Sequence, residues 1–163
     1  MKRLRGFTLI EIVIALAIFV VIVTLAVQMT STIEQVLAGR ASRQVEQLLF
    51  SAAGRARDGM SGTSWGVYLA YDNVTRIPTQ ATIFSGTSFA TRDVSADVIF
   101  SLSSYLRMTN VSLSGAGASS GSDHEIVFAT LSGATTQYGS MAIDAFGATT
   151  TISISSVGIP TLP

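Results

Sequence analysis

The sequence contains no cysteine and a single histidine, His124. Disulfide bonds, zinc–thiolate sites and thiol catalysis are therefore excluded. No second histidine with ligand spacing accompanies His124, so we predict no transition-metal site there and assign His124 to a solvated strand start. Catalytic serine signatures such as Gly-x-Ser-x-Gly are also missing. The pattern therefore predicts no enzyme and no bound cofactor or metal. An oxygen-only calcium site would need several acidic side chains, but the sequence contains no calcium-loop pattern. The acidic candidates for such a site are Asp93, Asp97, Asp123, Glu125 and Asp144.

Charged residues are scarce and unevenly placed. They make up 12% of the chain, against about 25% in an average protein. Three of the ten basic residues, Lys2, Arg3 and Arg5, fall within the first five positions. The rest of the chain contains seven arginines and ten acidic residues, so its net charge is negative. Nucleic-acid binding depends chiefly on clustered lysine and arginine, so we predict no nucleic-acid partner for this weakly acidic body.

Hydrophobic residues are concentrated in one run over 7–27, FTLIEIVIALAIFVVIVTLAV, in which Glu11 is the only ionisable residue. About 20 apolar residues suffice for a helix to cross roughly 30 Å of hydrocarbon. The basic residues in front of the run favour a cytoplasmic N-terminus under the positive-inside rule. The run therefore predicts a transmembrane helix, with the rest of the chain on the other side of the membrane.

Glu11 is unusual in such a run, because a carboxylate inside a membrane costs several kcal/mol unless it is paired or hydrated. Two interpretations are open. Thr8 and Glu11 have the spacing of a capping box, in which the carboxylate satisfies backbone amides at a helix start. Alternatively, Glu11 awaits a positively charged partner, and both roles are compatible before that partner arrives.

Residues 6–11, GFTLIE, together with the short basic leader, resemble the processing motif of type IV prepilins and type II secretion pseudopilins. The resemblance implies a membrane peptidase, prepilin peptidase, that cuts after Gly6, removes the leader 1–6 and methylates the new amino group of Phe7. It also implies that Glu11 pairs with the terminal ammonium of its own or a neighbouring subunit. The implied assembly residues are Thr8, Leu9, Ile10 and Glu11, and the implied leader charges are Lys2, Arg3 and Arg5.

The same resemblance implies partners and a location. The partners are other pilin or pseudopilin subunits, bound through the N-terminal helix, and an inner-membrane assembly platform. The chain is expected first in the bacterial inner membrane, as a single-pass protein with its C-terminus outside, and then in an extracytoplasmic filament. A signal-anchored extracytoplasmic binding domain, with an uncleaved membrane helix as its tether, is the alternative function.

Helical periodicity continues beyond the apolar run. Hydrophobic residues recur every three or four positions, and no proline precedes Pro78, so we predict one helix over 7–57 with an amphipathic second half. Gly39 is a candidate for local bending, and Gly59 with Gly62 predicts the helix stop. The amphipathic positions are Ile33, Val36, Leu37, Ala41, Val45, Leu48, Leu49 and Ala52.

The remainder, 58–163, is predicted to be a globular β-rich head. Its short runs of β-branched and aromatic residues indicate strands, and strands that follow a long helix predict an α+β fold with a mainly antiparallel sheet covered by the helix. The glycine and serine-rich segment 114–122 is predicted to be a hairpin tip. The predicted strands are Trp65–Tyr71, 82–84, 98–102, 110–113, 125–129, 139–143 and 150–155.

The head is similar, more loosely, to the H-type pseudopilin and related minor pilins. The similarity rests on LLFSAAGRARDGM followed by WGVYL, and on IVFATLSG and TISISSVG near the C-terminus. It implies a pilin-like fold and a minor pilin or pseudopilin subunit.

Overall fold

A computed structural model describes residues 8–71, 75–115 and 123–162, with the side chains of 26–35, 38, 71 and 123 left aside. Over these described residues the chain forms one long helix followed by eight strands and two short 3₁₀ turns, Met60–Gly62 and Phe89–Thr91. The helix is α1, Leu9–Arg57, and the strands are β1 Trp65–Tyr71, β2 Pro78–Ser85, β3 Asp93–Ser101, β4 Leu106–Leu113, β5 Asp123–Phe128, β6 Gly139–Ala145, β7 Ala148–Ile154 and β8 Pro160–Thr161.

Helix α1 is continuous through Gly39 and ends where the sequence predicts. The amide of Asp58 donates to the carbonyl of Gly54 at 2.9 Å, and the amide of Gly59 donates to the carbonyl of Ala56 at 3.1 Å. Gly59 then adopts a left-handed φ of 65°, which glycine reaches without steric cost. The observed helix, Leu9–Arg57, thus lies within the range 7–57 that the sequence predicts.

The strands form two antiparallel sheets of four strands each, where we expected one. The order is β3-β2-β1-β5 in the first sheet and β4-β6-β7-β8 in the second. In the first sheet, Val67 pairs with Ile83 on one side and with Ile126 on the other. In the second, Ile143 pairs with Thr150. Strand periodicity is the same in either arrangement, so it carries no information on which strands share a sheet.

The second half of α1 packs on both sheets and fills the core between them. It contacts β1, β2 and β5 of the first sheet and β6, β7 and β8 of the second. The predicted apolar face is confirmed from Ala41 onward, whereas Val36 and Leu37 are exposed rather than buried. Small residues keep the helix close to the sheets. The buried residues of this face are Ala41, Val45, Leu48, Leu49, Ala52, Ala53 and Ala56.

Each predicted strand overlaps an observed one, but several bounds were too short and one strand was missed. β3 begins at Asp93 instead of 98, and β8, which pairs Ile154 with Pro160, had no sequence signal. The predicted hairpin at 114–122 is wrong, because β4 and β5 belong to different sheets. Residues 116–122 of that loop lie outside the described residues.

His124 is another correction. The prediction of a solvated strand start is wrong, since the side chain of His124 is only 5% exposed. His124 lies opposite Leu69 of β1 and shares the buried face of β5 with Ile126 and Phe128. Residues two apart on a strand point to the same side, and that side faces the core here.

Candidate assembly site at the start of the helix

The first turn of α1 is closed by Thr8 and Glu11. Thr8 has extended backbone angles and serves as the N-cap. The amide of Glu11 donates to the Thr8 hydroxyl oxygen at 3.4 Å, while the Glu11 carboxylate accepts from the Thr8 amide and from the Thr8 hydroxyl, each at 3.0 Å. This is a reciprocal capping box, which satisfies amides that lack partners at a helix start. The capping interpretation of Glu11 is therefore confirmed for the isolated chain.

Beyond this turn and up to Leu25, α1 is apolar on every side and exposed. All residues over 9–25 are exposed, and Leu9 is 81% exposed. The hydroxyl of Thr24 donates to the carbonyls of Val20 and Val21, so this polar group is satisfied within the helix. A helix that is hydrophobic all round is normally buried in apolar surroundings. The head does not provide them, so an external apolar partner is required.

The Glu11 carboxylate lies beside an apolar groove on this helix. Ile12, Ala15, Leu16 and Phe19 line the groove with Glu11, and its volume is about 410 Å³. The lining residues are largely exposed, so Glu11 places one ionisable side chain on an otherwise apolar helix surface.

The structure covers only part of the predicted site. Thr8, Leu9, Ile10 and Glu11 all lie in the first turn, where the side chains of Thr8 and Glu11 meet while Leu9 and Ile10 face outward. The processing residues Gly6 and Phe7, and the leader charges Lys2, Arg3 and Arg5, lie outside the described residues. Within the described part of the chain, none of the helices combines the length and hydropathy needed to cross a membrane. The transmembrane assignment of 7–27 stays a prediction.

Two acidic residues of the head, Asp93 and Asp97, have local partners. Asp93 accepts from the amide and hydroxyl of Ser95 at 2.9 and 2.6 Å, and these bonds hold the pKa of Asp93 below its ordinary value, the hydroxyl having the larger effect. Asp97 pairs with Arg92 at 2.8 Å. Among the described residues, no three metal-ligating side chains lie together. Asp93 and Asp97, two of the candidate carboxylates for calcium, thus each have a separate local partner.

Two groups of apolar side chains at the surface of the head are not marked by helical or strand periodicity. The exposed Tyr105 and the half-buried Phe146 form one group, and the exposed Met60 and Leu131 belong to the other. All four lie in turns or at strand ends, where neither helical nor strand periodicity reports burial. Their only sequence signal is a large apolar residue in a segment otherwise rich in small polar ones.

Comparison with known proteins identifies the N-terminal segment. Residues 1–27 match the family model described as the prokaryotic N-terminal methylation motif. No curated protein and no solved structure matches the chain. The matched segment includes the leader, Gly6, Phe7, the capping box and the apolar run up to Val27. This prepilin motif points to a type IV pilin-like structural subunit, processed by prepilin peptidase and assembled with other pilin subunits, rather than to an enzyme.

Proposed function

We propose that the chain is a structural subunit of a type IV pilus or type II secretion-like filament, cut after Gly6 and N-methylated on Phe7. The observation that carries the proposal is the methylation motif over residues 1–27. The exposed apolar helix within this motif supports it, because seventeen consecutive described residues over 9–25 have no apolar partner in the head. Packed helices of neighbouring subunits would supply one.

Processing prepares the helix for extraction from the bilayer. Lys2, Arg3 and Arg5 hold the N-terminus at the cytoplasmic face, since basic residues interact with anionic lipids and resist translocation. Removal of the leader 1–6 leaves a helix whose first turn carries a terminal ammonium and the Glu11 carboxylate. Segment 7–27 is then able to move from lipid into the apolar core of a filament.

Glu11 has one role before assembly and gains a second in the filament. In the isolated chain its carboxylate accepts two hydrogen bonds from Thr8. An ionised carboxylate has about four lone-pair positions, so it is able to accept from a neighbour's Phe7 ammonium as well. Because an unpaired charge is costly in an apolar core, this pairing would favour one register between adjacent helices.

The head, 58–163, is carried outside the membrane by the second half of α1. The two sheets pack on that half from Ala41 onward, so head and stem move as a unit during assembly. The location that follows is the inner membrane before assembly and an extracytoplasmic filament afterwards, with an inner-membrane platform as a further partner. The narrower assignment, a minor pilin or pseudopilin, rests on the similarity of the head to the H-type group.

A tethered binding domain is the competing function, and recovery of filaments separates the two. The chain is produced with prepilin peptidase and a filament assembly machinery, cells are sheared, and released filaments are separated from membranes. A filament subunit appears in the sheared fraction only when both components are present. A tethered binding domain stays in the membrane fraction under every condition, and that result would contradict the proposed function.

A further inference from the structure

Exposed apolar side chains of the head gather at its two ends along α1. The part of α1 between Arg40 and Arg57 spans about 26 Å at 1.5 Å per residue, and the two groups lie beside the opposite ends of this span. Large exposed apolar patches on a protein surface commonly mark interaction sites. The two groups are therefore separated along the axis of α1, one near its entry into the head and one near its C-terminal end.

The first group, here the proximal surface, lies where α1 enters the head. It consists of Leu37, Arg40, Tyr105 and Phe146, which line a groove of about 260 Å³. The ring of Tyr105 is 61% exposed and lies 4.6 Å from that of Phe146, centroid to centroid. Phe146 has a left-handed φ of 56°, a strained conformation for a bulky residue. The proximal surface thus contains two packed aromatic rings beside the basic Arg40.

The second group, here the distal surface, surrounds the C-terminal end of α1. Its apolar members are Met60, Leu131, Val157 and Ile159. Asp58, at the end of the helix, is exposed beside them. The distal surface therefore combines four exposed apolar side chains with the acidic Asp58 and the basic Arg57.

Hydrogen bonds fix the turns that build the distal surface. The amide of Leu131 donates to the carbonyl of Ala56 at 2.8 Å, and the Arg57 guanidinium donates to the carbonyls of Val157 and Gly158, each at 3.2 Å. Leu131 is 76% exposed and has a left-handed φ of 65°. A strained, largely exposed leucine in a position that glycine would fill more easily points to a role outside the folding of the head.

We propose that the proximal surface of one copy of this chain packs against the distal surface of the next copy in the filament. Both surfaces expose apolar side chains, and in such a contact the basic Arg40 of one copy would lie near the acidic Asp58 of the next, while Arg57 of the distal surface is engaged with the carbonyls of Val157 and Gly158. Two different surfaces at opposite ends give a heterologous, head-to-tail association, which builds open filaments instead of closed dimers. The proposal rests on the proposed function, because packing of the N-terminal helices brings copies together.

The bilayer does not explain the proximal surface. Leu37 follows the end of the apolar run, Val27, by ten residues, which corresponds to roughly 15 Å of helix. The headgroup layer beyond the hydrocarbon is only about 5–8 Å thick on each side. The proximal surface therefore lies above the lipid headgroups when segment 7–27 occupies the membrane. Its partner is then a protein and not lipid.

Cross-linking between two singly substituted copies tests the contact. The chain has no cysteine, so introduced thiols are the only reactive ones. Copies with Leu131→Cys and Tyr105→Cys, carrying different tags, are produced together with the peptidase and assembly machinery and treated with a short bismaleimide. We expect a dimer that contains both tags. The matched control replaces Tyr105→Cys with Ile99→Cys on β3, whose exposure of 62% equals that of Tyr105 within one per cent.

Further variants keep the result decisive. Leu37→Cys on the helix serves as a second proximal reporter, in case Tyr105→Cys disturbs the ring contact with Phe146. In the cross-linking pair, Arg40→Glu in the Tyr105→Cys copy should lower the yield severalfold, and Asp58→Arg in the Leu131→Cys copy should restore it.

Each outcome has a defined meaning. The mixed dimer with either proximal reporter, together with its absence in the Ile99→Cys control, supports the contact. Equal yields in test and control, or a dimer formed by Leu131→Cys copies alone, would overturn the head-to-tail arrangement. The N-terminal mass of the same sample separates the two hypotheses. An intact leader overturns the proposed function and the contact with it, whereas a removed leader without the mixed dimer overturns the contact alone.

Discussion

The carboxylate of Glu11 accepts both the amide and the hydroxyl hydrogen bond of Thr8, each at 3.0 Å. The one acidic residue in the apolar run thus already has a partner in the isolated chain, in the turn that follows Phe7. Capping the helix and pairing with a neighbour's ammonium are therefore compatible roles of the same side chain, and variants that keep one and remove the other separate them.

Glu11→Gln should give a cleaved chain that enters filaments poorly. Glutamine is able to replace glutamate in a capping box, so the helix start is preserved while the negative charge is lost. Recovery in sheared filaments should fall at least about tenfold, which corresponds to a loss of about 1.4 kcal/mol in an assembly equilibrium. Glu11→Ala should be at least as defective.

The matched control for the charge is Thr8→Ala, which removes the N-cap hydroxyl but keeps the carboxylate. Loss of an N-cap costs about 1 kcal/mol of helix stability, so assembly should be reduced only slightly. Equal defects in Thr8→Ala and Glu11→Gln, or normal assembly of Glu11→Gln, would restrict Glu11 to capping.

Gly6→Leu should leave the leader attached, because a large side chain at the cleavage position obstructs the peptidase. The intact mass of chain produced with prepilin peptidase then corresponds to the full sequence from Met1. Gly39→Ala is the matched control, since a Cβ at Gly39 meets no atom within 4 Å, and it should be processed normally. Normal processing of Gly6→Leu would remove the assigned cleavage site.

Gly66→Ala should destabilise the head. A Cβ at Gly66 would overlap the Phe84 ring and would lie 2.9 Å from the carbonyl oxygen of Ile126, so the buried ring has to move. We expect the free energy of unfolding to fall by about 1–3 kcal/mol, as in overpacked cores. Urea unfolding of the detergent-solubilised chain, followed by the fluorescence of Trp65, measures this.

The control for that variant is Gly54→Ala in α1, where a Cβ meets nothing within 4 Å. Alanine is a better helix former than glycine, so this variant should gain about 1 kcal/mol. A Gly66→Ala chain as stable as the parent would show that the Phe84 ring does not require the glycine.

Leu131→Gly should separate stability from assembly. Glycine adopts the left-handed φ of 65° without strain, and the leucine side chain it replaces is largely exposed. The free energy of unfolding should therefore change by less than about 1 kcal/mol, whereas the yield of the mixed dimer with a Leu37→Cys reporter on the other copy should fall. For this variant the distal reporter is Met60→Cys. An unchanged yield of the mixed dimer would show that the Leu131 side chain does not contribute to the contact.

The parts of the fold that depend on local periodicity were predictable. The helix and its end at Arg57 follow from a regular apolar repeat and from Gly59, and β1 over Trp65–Tyr71 was predicted with its observed bounds. The Thr8–Glu11 spacing likewise predicted the capping box. In each case the interaction joins residues close in sequence, where the residue types largely determine the geometry.

The parts that depend on distant contacts were not predictable. Whether β4 and β5 share a sheet, and whether the face of β5 that carries His124 is buried, are decided by strands far away in the chain. The proximal and distal surfaces depend in the same way on turns that meet only in the folded head. Strand β8, which begins at Pro160, is a short edge strand with too few residues to show a periodic pattern.

The identity of the first residue of the mature chain tests the central claim most directly. The protein is produced with prepilin peptidase, and its N-terminal peptide is analysed by tandem mass spectrometry. We expect the chain to begin at Phe7 with a methylated amino group, and to begin at Met1 when the peptidase is absent. A chain that retains residues 1–6 in the presence of an active peptidase would contradict its processing as a filament subunit.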